Sequence, residues 1–350
     1  MTPLGDLLLR RIALQGPMNL AQYMADCLLH PQYGYYATRD PFGQAGDFIT
    51  APEISQVFGE LLGLCLAQSW LDQGAPKAFT LAELGPGRGT LMADVLRATA
   101  RVPGFQAAAK VCLVEASPVL RARQRQTLGA HGVTWLDQAQ DLPEAPLFLL
   151  ANEFFDALPI RQFTRVGTAW AETMVGTAKG ALSFGRAAPA PLAALEARLA
   201  DTREGEIVEI CPAAPAIMDQ INARITRHGG LALIVDYGGW TSRGDTFQAL
   251  KDHKFTDPLA APGEADLTAH VDFAALAAGT PAHAYATQGA VLQALGIAAR
   301  SAQLARNLQG EPLARHHAAM HRLTAPEEMG NLFKALAVFP AGGPMPAGFQ

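Results

Sequence analysis

The sequence predicts an α/β protein whose core is a doubly wound, mostly parallel sheet of the Rossmann-like class. Strand-like and helix-like segments alternate from residue 79 onward, an order that joins parallel strands through helices. A turn with three alternating glycines, "ELGPGRGT", follows the first of these strands. Sheets of this class bind ligands beyond the carboxyl ends of their strands, so the turn marks the expected binding site.

Composition and charge agree with a folded globular chain. Of the 350 residues, 49% are hydrophobic and 17% are charged, which is far from the composition of a disordered protein. The formal net charge of −5 argues against nucleic acid as a partner, because that partner needs clustered positive charge. The four cysteines form no CxxC pair and lie away from histidines at metal-ligand spacing, so we expect no metal site; they are Cys27, Cys65, Cys112 and Cys211.

The chain shows no recognisable targeting or membrane segment. Its first residues, "MTPLGDLLLRRIALQG", carry Asp6, Arg10 and Arg11 and lack the long apolar run of a signal peptide. No segment reaches the roughly 20 apolar residues that span a bilayer. We therefore expect a cytoplasmic protein that does not insert into a membrane.

Residues 1–78 precede the alternating pattern and are expected to form an N-terminal helical and lid segment. Asn19 is a good N-cap for a helix over "LAQYMADCLLH". Residues 31–55 are rich in glycine, proline and aromatics, and so long an irregular stretch in a compact chain predicts a functional loop.

Two polar residues of this loop are candidates for contact with a ligand. We interpret Asp47 and Thr50 as part of a lid that closes over the cofactor. A second interpretation makes Thr50 the N-cap of the following helix, with Glu53 as its capping-box partner, and the two interpretations are compatible.

Residues 79–350 are expected to form the ligand-binding domain, with an insertion at about 161–212. The pattern predicts strands near 79–85, 109–117, 133–137, 146–158 and 231–239, with helices at 90–101 and 117–129 between the first three. In the insertion it predicts a β-hairpin or meander over 161–187, followed along the chain by helices over 189–202 and 212–230. Beyond the sheet it predicts a polar loop over 240–270, helices within 288–322 and a last strand near 332–339.

The glycine turn discriminates between possible ligands. Gly85, Gly87 and Gly89 are followed by Thr90, so the dinucleotide fingerprint GxGxxG fails at its last glycine. The P-loop pattern fails as well, because no Lys-Ser/Thr pair follows. Alternating glycines let the backbone approach a ligand closely, and Glu83 should lie beside that ligand at the strand end. A carboxylate there suits a cationic ligand such as S-adenosylmethionine, which has an ammonium and a sulfonium, and suits a pyrophosphate badly.

Two further acids follow the next two strands. Glu115 ends "VCLVEA", where a carboxylate can accept both hydrogen bonds of a ribose diol, although enzymes that use NAD have the same device. Asp137 ends "VTWLD" and could face an adenine amino group. A helix cap or a solvated turn is an equally good interpretation of Asp137.

These residues, with several longer blocks, resemble the class I methyltransferases and, within them, the MidA family of the DUF185 type. That family includes the mitochondrial complex I assembly factor described as a protein-arginine methyltransferase. The blocks are "YGYYATRDPFGQAGDFITAPEISQVFGELLG", "LAELGPGRGTLMADVLR", "ANEFFDALPIRQF", "LIVDYG", "GEADLTAHVDF" and "MGNLFKALAV". The resemblance implies a seven-stranded core with its last strand antiparallel, S-adenosylmethionine as cofactor, and a protein substrate, an arginine on the quinone arm of respiratory complex I.

The expected acceptor site is the end of the fourth strand, "ANEFFDALP". Its Asn-x-x-Phe run resembles the acceptor-side motif of N-methyltransferases, in which the Asn152 carbonyl would hold an N–H. Glu153 and Asp156 are the candidates to bind a guanidinium as a fork and to accept the released proton. Asp236, at the end of the fifth strand, is as well explained by an active-site role as by a structural one.

Three alternatives stay open from the sequence. One is a methyltransferase with a small-molecule acceptor. Another is a non-catalytic assembly factor or chaperone of a respiratory complex that binds S-adenosylmethionine. The third is an NAD-dependent oxidoreductase, which Thr90 disfavours because a glycine is expected at that position.

Overall fold

The computed structural model describes residues 2–38 and 50–350. The chain divides into two compact units. Unit 1 contains 1–48, 156–214 and 239–272, and unit 2 contains 49–155, 215–238 and 273–350. Among the described residues, no helix combines the length and apolarity that a membrane crossing requires, and no group of three or more His, Cys, Asp or Glu side chains is placed to hold a metal ion.

The helices are numbered along the chain. They are α1 (Pro3–Gln15), α2 (Leu20–Leu29), α3 (Tyr35–Thr38), α4 (Ala51–Ile54), α5 (Gln56–Asp72), α6 (Thr90–Thr99), α7 (Phe105–Ala108), α8 (Pro118–Leu128), α9 (Ala214–His228), α10 (Phe273–Ala277), α11 (Gln288–Ala294), α12 (Ile297–Ala305), α13 (Gly310–Thr324) and α14 (Met329–Leu332).

The strands are numbered in the same way. They are β1 (Met18–Asn19), β2 (Phe79–Leu84), β3 (Ala109–Val114), β4 (Val133–Leu136), β5 (Leu147–Asn152), β6 (Arg161–Val166), β7 (Ala169–Ala178), β8 (Ala181–Arg186), β9 (Ile207–Ile210), β10 (Gly230–Gly239), β11 (Gln248–Lys251), β12 (Lys254–Thr256), β13 (Asp266–Thr268), β14 (Val271–Asp272), β15 (Ala282–Thr287) and β16 (Phe333–Phe339).

Unit 2 is built on the predicted sheet. Its strands follow the order β15–β16–β10–β5–β2–β3–β4. The pairs β2–β3, β3–β4, β2–β5 and β5–β10 are parallel, and the last strand, β16, is antiparallel to β10 and β15. All residues of β2 and β5 are buried, as expected of central strands covered on both faces. The predicted class I methyltransferase fold, with its antiparallel last strand, is confirmed.

Helices α5 and α6 pack against each other unusually closely in unit 2. A Cβ built on Gly59 would lie 2.7 Å from the Asp94 Cβ, and one on Gly63 would lie 2.9 Å from the Val95 Cα. Only glycine at these two positions lets the helices approach so closely. Since α6 begins directly after the glycine turn, this contact fixes the helix that holds the turn.

Unit 1 is built on antiparallel strands and N-terminal helices. β7 pairs with β6, β8 and the short β1, and β6 pairs with β9, so the meander predicted for the insertion is confirmed. Asn19 is the N-cap of α2, as predicted, and its side chain forms a capping box with Gln22. Buried residues of α1 and α2 pack on the strands in one core cluster that includes Leu8, Met24 and Val175.

Two predictions for unit 1 are wrong. The helix predicted over 189–202 is present only as two 3₁₀ turns, Ala193–Leu195 and Ala197–Leu199. Ala190 exchanges two backbone hydrogen bonds of 3.0 Å with Trp170 of β7, so the start of this segment is paired as extended chain, and the Arg165 guanidinium donates to the Leu199 and Thr202 carbonyls at its end.

The polar loop predicted over 240–270 instead contains β11, β12 and β13. The hairpin β11–β12 turns at Asp252 and His253, which both have positive φ (51° and 59°). Two-residue hairpin turns of this geometry usually contain Asn-Gly or Asp-Gly, so the Asp-His pair concealed the hairpin in the sequence.

Candidate active site at the strand ends

The glycine turn leaves the carboxyl end of β2 in a conformation that requires glycine. Gly85, Gly87 and Gly89 have φ values of 60°, 51° and 82°, all in the left-handed region. A Cβ on Gly85 would lie 2.8 Å from the Phe154 Cδ2. The first glycine therefore makes room for an aromatic ring of the segment after β5, and the turn meets the expected acceptor segment inside unit 2.

Glu83 lies near the end of β2 with 3% of its surface exposed. Burial raises the pKa of its carboxyl to about 8, against a backbone hydrogen bond from Met92 that lowers it. Its Oε2 is buried without a hydrogen-bond partner among residues 2–38 and 50–350. A buried carboxyl with spare acceptor capacity is suited to a cationic group, which would restore its charge.

Glu115 follows β3 and is held by its neighbours. Its Oε1 accepts the Ser117 N–H at 2.8 Å, and its Oε2 accepts the Gln124 amide at 3.2 Å. Burial raises the pKa of this carboxyl, whereas these hydrogen bonds and the charge of Arg121 lower it. Since each carboxylate oxygen carries two lone pairs, both can still accept a hydrogen bond from a diol.

Gln124 is a site residue that sequence reasoning missed. It is completely buried, and its amide also donates to the Gly87 carbonyl at 2.7 Å and accepts the Trp135 indole N–H at 2.8 Å. The signal was present in the sequence. Gln124 stands four residues from both Leu120 and Leu128, which makes it the polar member of the buried stripe of α8.

Asp137, expected to face an adenine, is an exposed residue. Its carboxylate is 2.5 Å from the Arg121 Nη2, and its side chain is 76% exposed. The same guanidinium donates to the Glu115 and Leu136 carbonyls. Arg121 therefore links Asp137 to the ends of β3 and β4.

Thr90, which stands where the dinucleotide fingerprint has its last glycine, bonds through its hydroxyl. Its Oγ1 donates to the Glu53 Oε1 at 2.6 Å, which ties the start of α6 to α4. Thr50 is the N-cap of α4 by position and is buried, but its side chain makes no cap hydrogen bond. The interpretation of Glu53 as a capping-box partner is therefore wrong. Asp47 lies outside the described residues.

Asn152 is the last residue of β5, and Glu153 follows it directly. In the sheet, β5 lies between β10 and β2. Asn152 is paired with Val235 of β10, and the preceding Ala151 is paired with Leu84 of β2. The Asn152 Nδ2 donates to the Glu153 Oε1 at 3.1 Å, while its buried Oδ1 has no hydrogen-bond partner in the described part of the chain. The pair thus offers an oriented carbonyl oxygen beside the glycine turn.

The backbone at Glu153 is strained. Its φ is 49°, which a residue with a Cβ rarely adopts, and its N–H donates to the Val235 carbonyl at 2.9 Å. Its carboxylate Oε1 accepts the Ala51 N–H at 3.1 Å at the start of α4. Non-glycine residues in such conformations concentrate at functional sites.

Asp236 and Asp156 have different surroundings. Asp236 is fully buried in unit 2, where its carboxylate accepts the Phe155 N–H at 3.1 Å and the Tyr237 N–H at 2.9 Å. These bonds support a structural role for Asp236, holding the segment that carries Phe154.

Asp156 is the first residue of the unit 1 segment that follows β5. It is also buried, and its carbonyl accepts the Ala269 N–H at 3.0 Å.

A protein-family model described as "Putative S-adenosyl-L-methionine-dependent methyltransferase" matches residues 61–291. The chain belongs to this methyltransferase family. The match includes the glycine turn, Glu83, Glu115 and the Asn152–Glu153 pair. The predicted methyltransferase activity and the expected cofactor, S-adenosylmethionine, are thereby confirmed, and the NAD-dependent alternative is set aside.

Individual members of the family resemble this methyltransferase over nearly its whole length. The mitochondrial protein arginine methyltransferase NDUFAF7 of Mus musculus is 38% identical over 97% of this chain and 85% of its own. Its Drosophila melanogaster homolog is 37% identical over 94% and 83%. A Burkholderia thailandensis protein, solved with bound S-adenosyl-homocysteine, has a TM-score of 0.83 at 32% identity and covers 99% of this chain and 93% of its own.

The relatives correct the expected location. The NDUFAF7 proteins of mouse and fly are named as mitochondrial, so the expectation of a cytoplasmic protein is not supported. The lack of a recognisable leader in a sequence does not indicate the compartment of the protein.

The site of this methyltransferase fits its cofactor chemically. Glu83 offers a buried acceptor without a hydrogen-bond partner among the described residues. Glu115 offers a second carboxylate one strand away, and the glycine turn lies between them in the chain. A cation and a ribose diol are the two groups of S-adenosylmethionine that such a pair can bind.

Proposed function

We propose that this methyltransferase transfers a methyl group to a guanidinium nitrogen of an arginine in a protein. The observation that carries the proposal is the buried Asn152 Oδ1, which has no hydrogen-bond partner among the described residues and is held in place by Glu153. A guanidinium has five N–H donors and no acceptor. An oriented carbonyl oxygen with a carboxylate beside it is therefore suited to hold one.

The proposed chemistry is an in-line displacement. S-adenosylmethionine supplies an electrophilic methyl group on a sulfonium. The transfer forms an N–CH₃ bond and breaks the S–CH₃ bond, and the nitrogen loses one proton. Asn152 accepts an N–H of the acceptor and orients it, and Glu153 stabilises the guanidinium charge. Asp156 is proposed as the acceptor of the released proton.

Glu83, Glu115 and the glycine turn, which are the main proposed cofactor contacts, belong to unit 2. Glu83 faces the ammonium end of the cofactor, Glu115 holds the ribose diol, and the turn over 85–89 approaches the cofactor with its backbone. Thr50, Asp47 and Asp137 are the remaining predicted contacts, and the exposed ion pair of Asp137 with Arg121 makes it the weakest of them.

A protein substrate is supported by the relatives, which are named protein arginine methyltransferases. The resemblance to the complex I assembly factor narrows the proposal to a quinone-arm subunit of respiratory complex I. The same resemblance supports a role in the assembly of that complex.

The test is methyl transfer by the full chain to a purified quinone-arm subunit, with radiolabelled S-adenosylmethionine and mass spectrometry of the product. Asn152→Ala should lower kcat by at least about a hundredfold, because a positioning contact to the reacting group is lost. Its affinity for S-adenosylhomocysteine should stay within about twofold of the native value, a change of less than 1 kcal/mol.

The matched control is Asn307→Ala, since Asn307 is exposed and follows α12. It should leave both quantities unchanged. Native transfer by Asn152→Ala would contradict the acceptor site, and label on a residue other than arginine would contradict the choice of substrate group.

A further inference from the structure

We infer that Gln124 is a positioning residue that sets the geometry of the cofactor site by holding the glycine turn and Glu115 in register. The inference rests on the proposed function, because it takes Glu115 and the turn as cofactor contacts. Gln124 touches neither the acceptor segment nor the reacting atoms in this assignment, and it acts through the residues that it holds.

The hydrogen bonds of Gln124 reach three successive strand ends of the sheet. Its amide nitrogen donates to the Gly87 carbonyl, in the turn after β2, and to the Glu115 Oε2, after β3. Its amide oxygen accepts the indole N–H of Trp135 on β4. Both amide hydrogens and one lone pair are thus used, so the amide has one orientation that satisfies all three partners.

Packing supports the same role. A Cβ on Gly89 would lie 3.5 Å from the Gln124 Cγ, which places the end of the turn in van der Waals contact with this side chain. On the far side, the Arg125 guanidinium lies 4.7 Å from the centre of the Trp135 ring and covers the indole. The amide is therefore enclosed between the turn and β4, where water cannot replace its hydrogen bonds.

The identity of the residue follows from its donors. A glutamate has the same shape but would set a carboxylate against the Gly87 carbonyl and the Glu115 carboxylate, both of which are acceptors. A leucine or methionine would fill the space and leave the Gly87 carbonyl and the Trp135 N–H unpaired. Only an amide of this length supplies two donors on one side and an acceptor on the other.

The experiment measures S-adenosylhomocysteine binding by calorimetry to the full chain carrying Gln124→Met, Gln124→Glu or, as a matched control, Gln126→Met. Gln126 lies on the same helix but is exposed, and its side-chain oxygen accepts a hydrogen bond from Arg123. We expect the two Gln124 variants to bind about tenfold to a hundredfold more weakly, since buried partners lose their hydrogen bonds. The Gln126 variant should bind as the native chain does.

The pH dependence of binding separates positioning from general loss of structure. The Gln124 hydrogen bond lowers the pKa of Glu115, as do Arg121 and the Ser117 N–H, while Glu83 is the nearby acid. Without Gln124, the Glu115 carboxyl keeps its proton to higher pH, so the pH at which binding reaches half its maximum should move upward in Gln124→Met. A merely destabilised chain would lower the thermal midpoint without moving this pH value.

Native affinity in folded Gln124→Met and Gln124→Glu would overturn the inference. Glu115→Ala, measured in parallel, tells the two possible failures apart. If it binds weakly while both Gln124 variants bind normally, the cofactor site stands and only the role of Gln124 is wrong. If all three bind normally, the proposed cofactor site is wrong as well.

Discussion

Two buried glutamates, one in each unit, are almost equally exposed but differ in how many hydrogen bonds their carboxyl groups accept. Glu209 of unit 1 is 2% exposed, and Glu83 of unit 2 is 3% exposed. The Glu209 carboxylate accepts the Gln162 amide and the Thr246 N–H, each at 3.0 Å, and also the Thr246 hydroxyl. The Glu83 Oε2 has no hydrogen-bond partner within 2–38 and 50–350.

We interpret this difference as separating an acid that stabilises the fold from an acid that is available to a ligand. Glu209 belongs to a polar row that continues through Gln162 to Thr173, whose hydroxyl donates to the side-chain Oε1 of Gln162 at 2.8 Å. The acceptor capacity of the Glu209 carboxylate is thus used by its neighbours in unit 1. Glu83 lies near the end of a parallel strand beside the glycine turn. Its spare acceptor capacity can be used there by a bound ligand.

The largest predicted effect concerns the pH dependence of stability at Glu83. The pKa of this carboxyl is about 8 in the folded chain and has an ordinary value of 4.5. Between these values the folded chain keeps a proton that the unfolded chain has released, so Glu83 lowers stability as pH rises through this window. Each pKa unit corresponds to about 1.4 kcal/mol.

Glu83→Gln should remove this dependence. We expect the variant to equal the native chain in free energy of unfolding at about pH 4, below both pKa values, and to exceed it at about pH 7 by on the order of 3 kcal/mol. Denaturant titrations at the two pH values measure the difference. A variant less stable than the native chain at both values would mean that the Glu83 carboxylate is satisfied inside the protein.

A smaller effect of opposite sign is predicted for Glu209. Glu209→Leu should lower the free energy of unfolding by about 2 kcal/mol at pH 7, because the Thr246 N–H and hydroxyl lose their acceptor. Its affinity for S-adenosylhomocysteine should stay native. A loss of affinity in this variant would contradict the division of the two acids into structural and functional groups.

Much of unit 2 could be predicted because its signals are local. The buried strands, the three glycines and the acids at the ends of β2 and β3 all follow from short stretches of sequence. The structure places Glu83 on β2 and Glu115 directly after the adjacent parallel strand β3, as expected. The glycine pattern also predicted backbone that only glycine adopts, and Gly85, Gly87 and Gly89 have the required φ values.

What escaped prediction depends on residues far apart in the chain. The bond from Gln124 to Gly87 spans 37 residues, as does the bond from Thr90 to Glu53. In unit 1, Ala190 exchanges two backbone hydrogen bonds with Trp170 of β7, so the start of the predicted helix over 189–202 is paired as extended chain. Local propensity cannot anticipate such partners, although a lone glutamine in an apolar helical stripe is a signal that can be searched for.

Proton release on ligand binding tests most directly whether the buried Glu83 carboxyl faces a cationic group of the cofactor. The full chain is titrated with S-adenosylhomocysteine at pH 7 in two buffers of different ionisation enthalpy, with Glu83→Gln in parallel. Because the ligand ammonium favours the charged carboxylate, the native chain should release about one proton more per bound ligand than the variant. Equal proton release by the two chains would show that Glu83 does not face the cofactor.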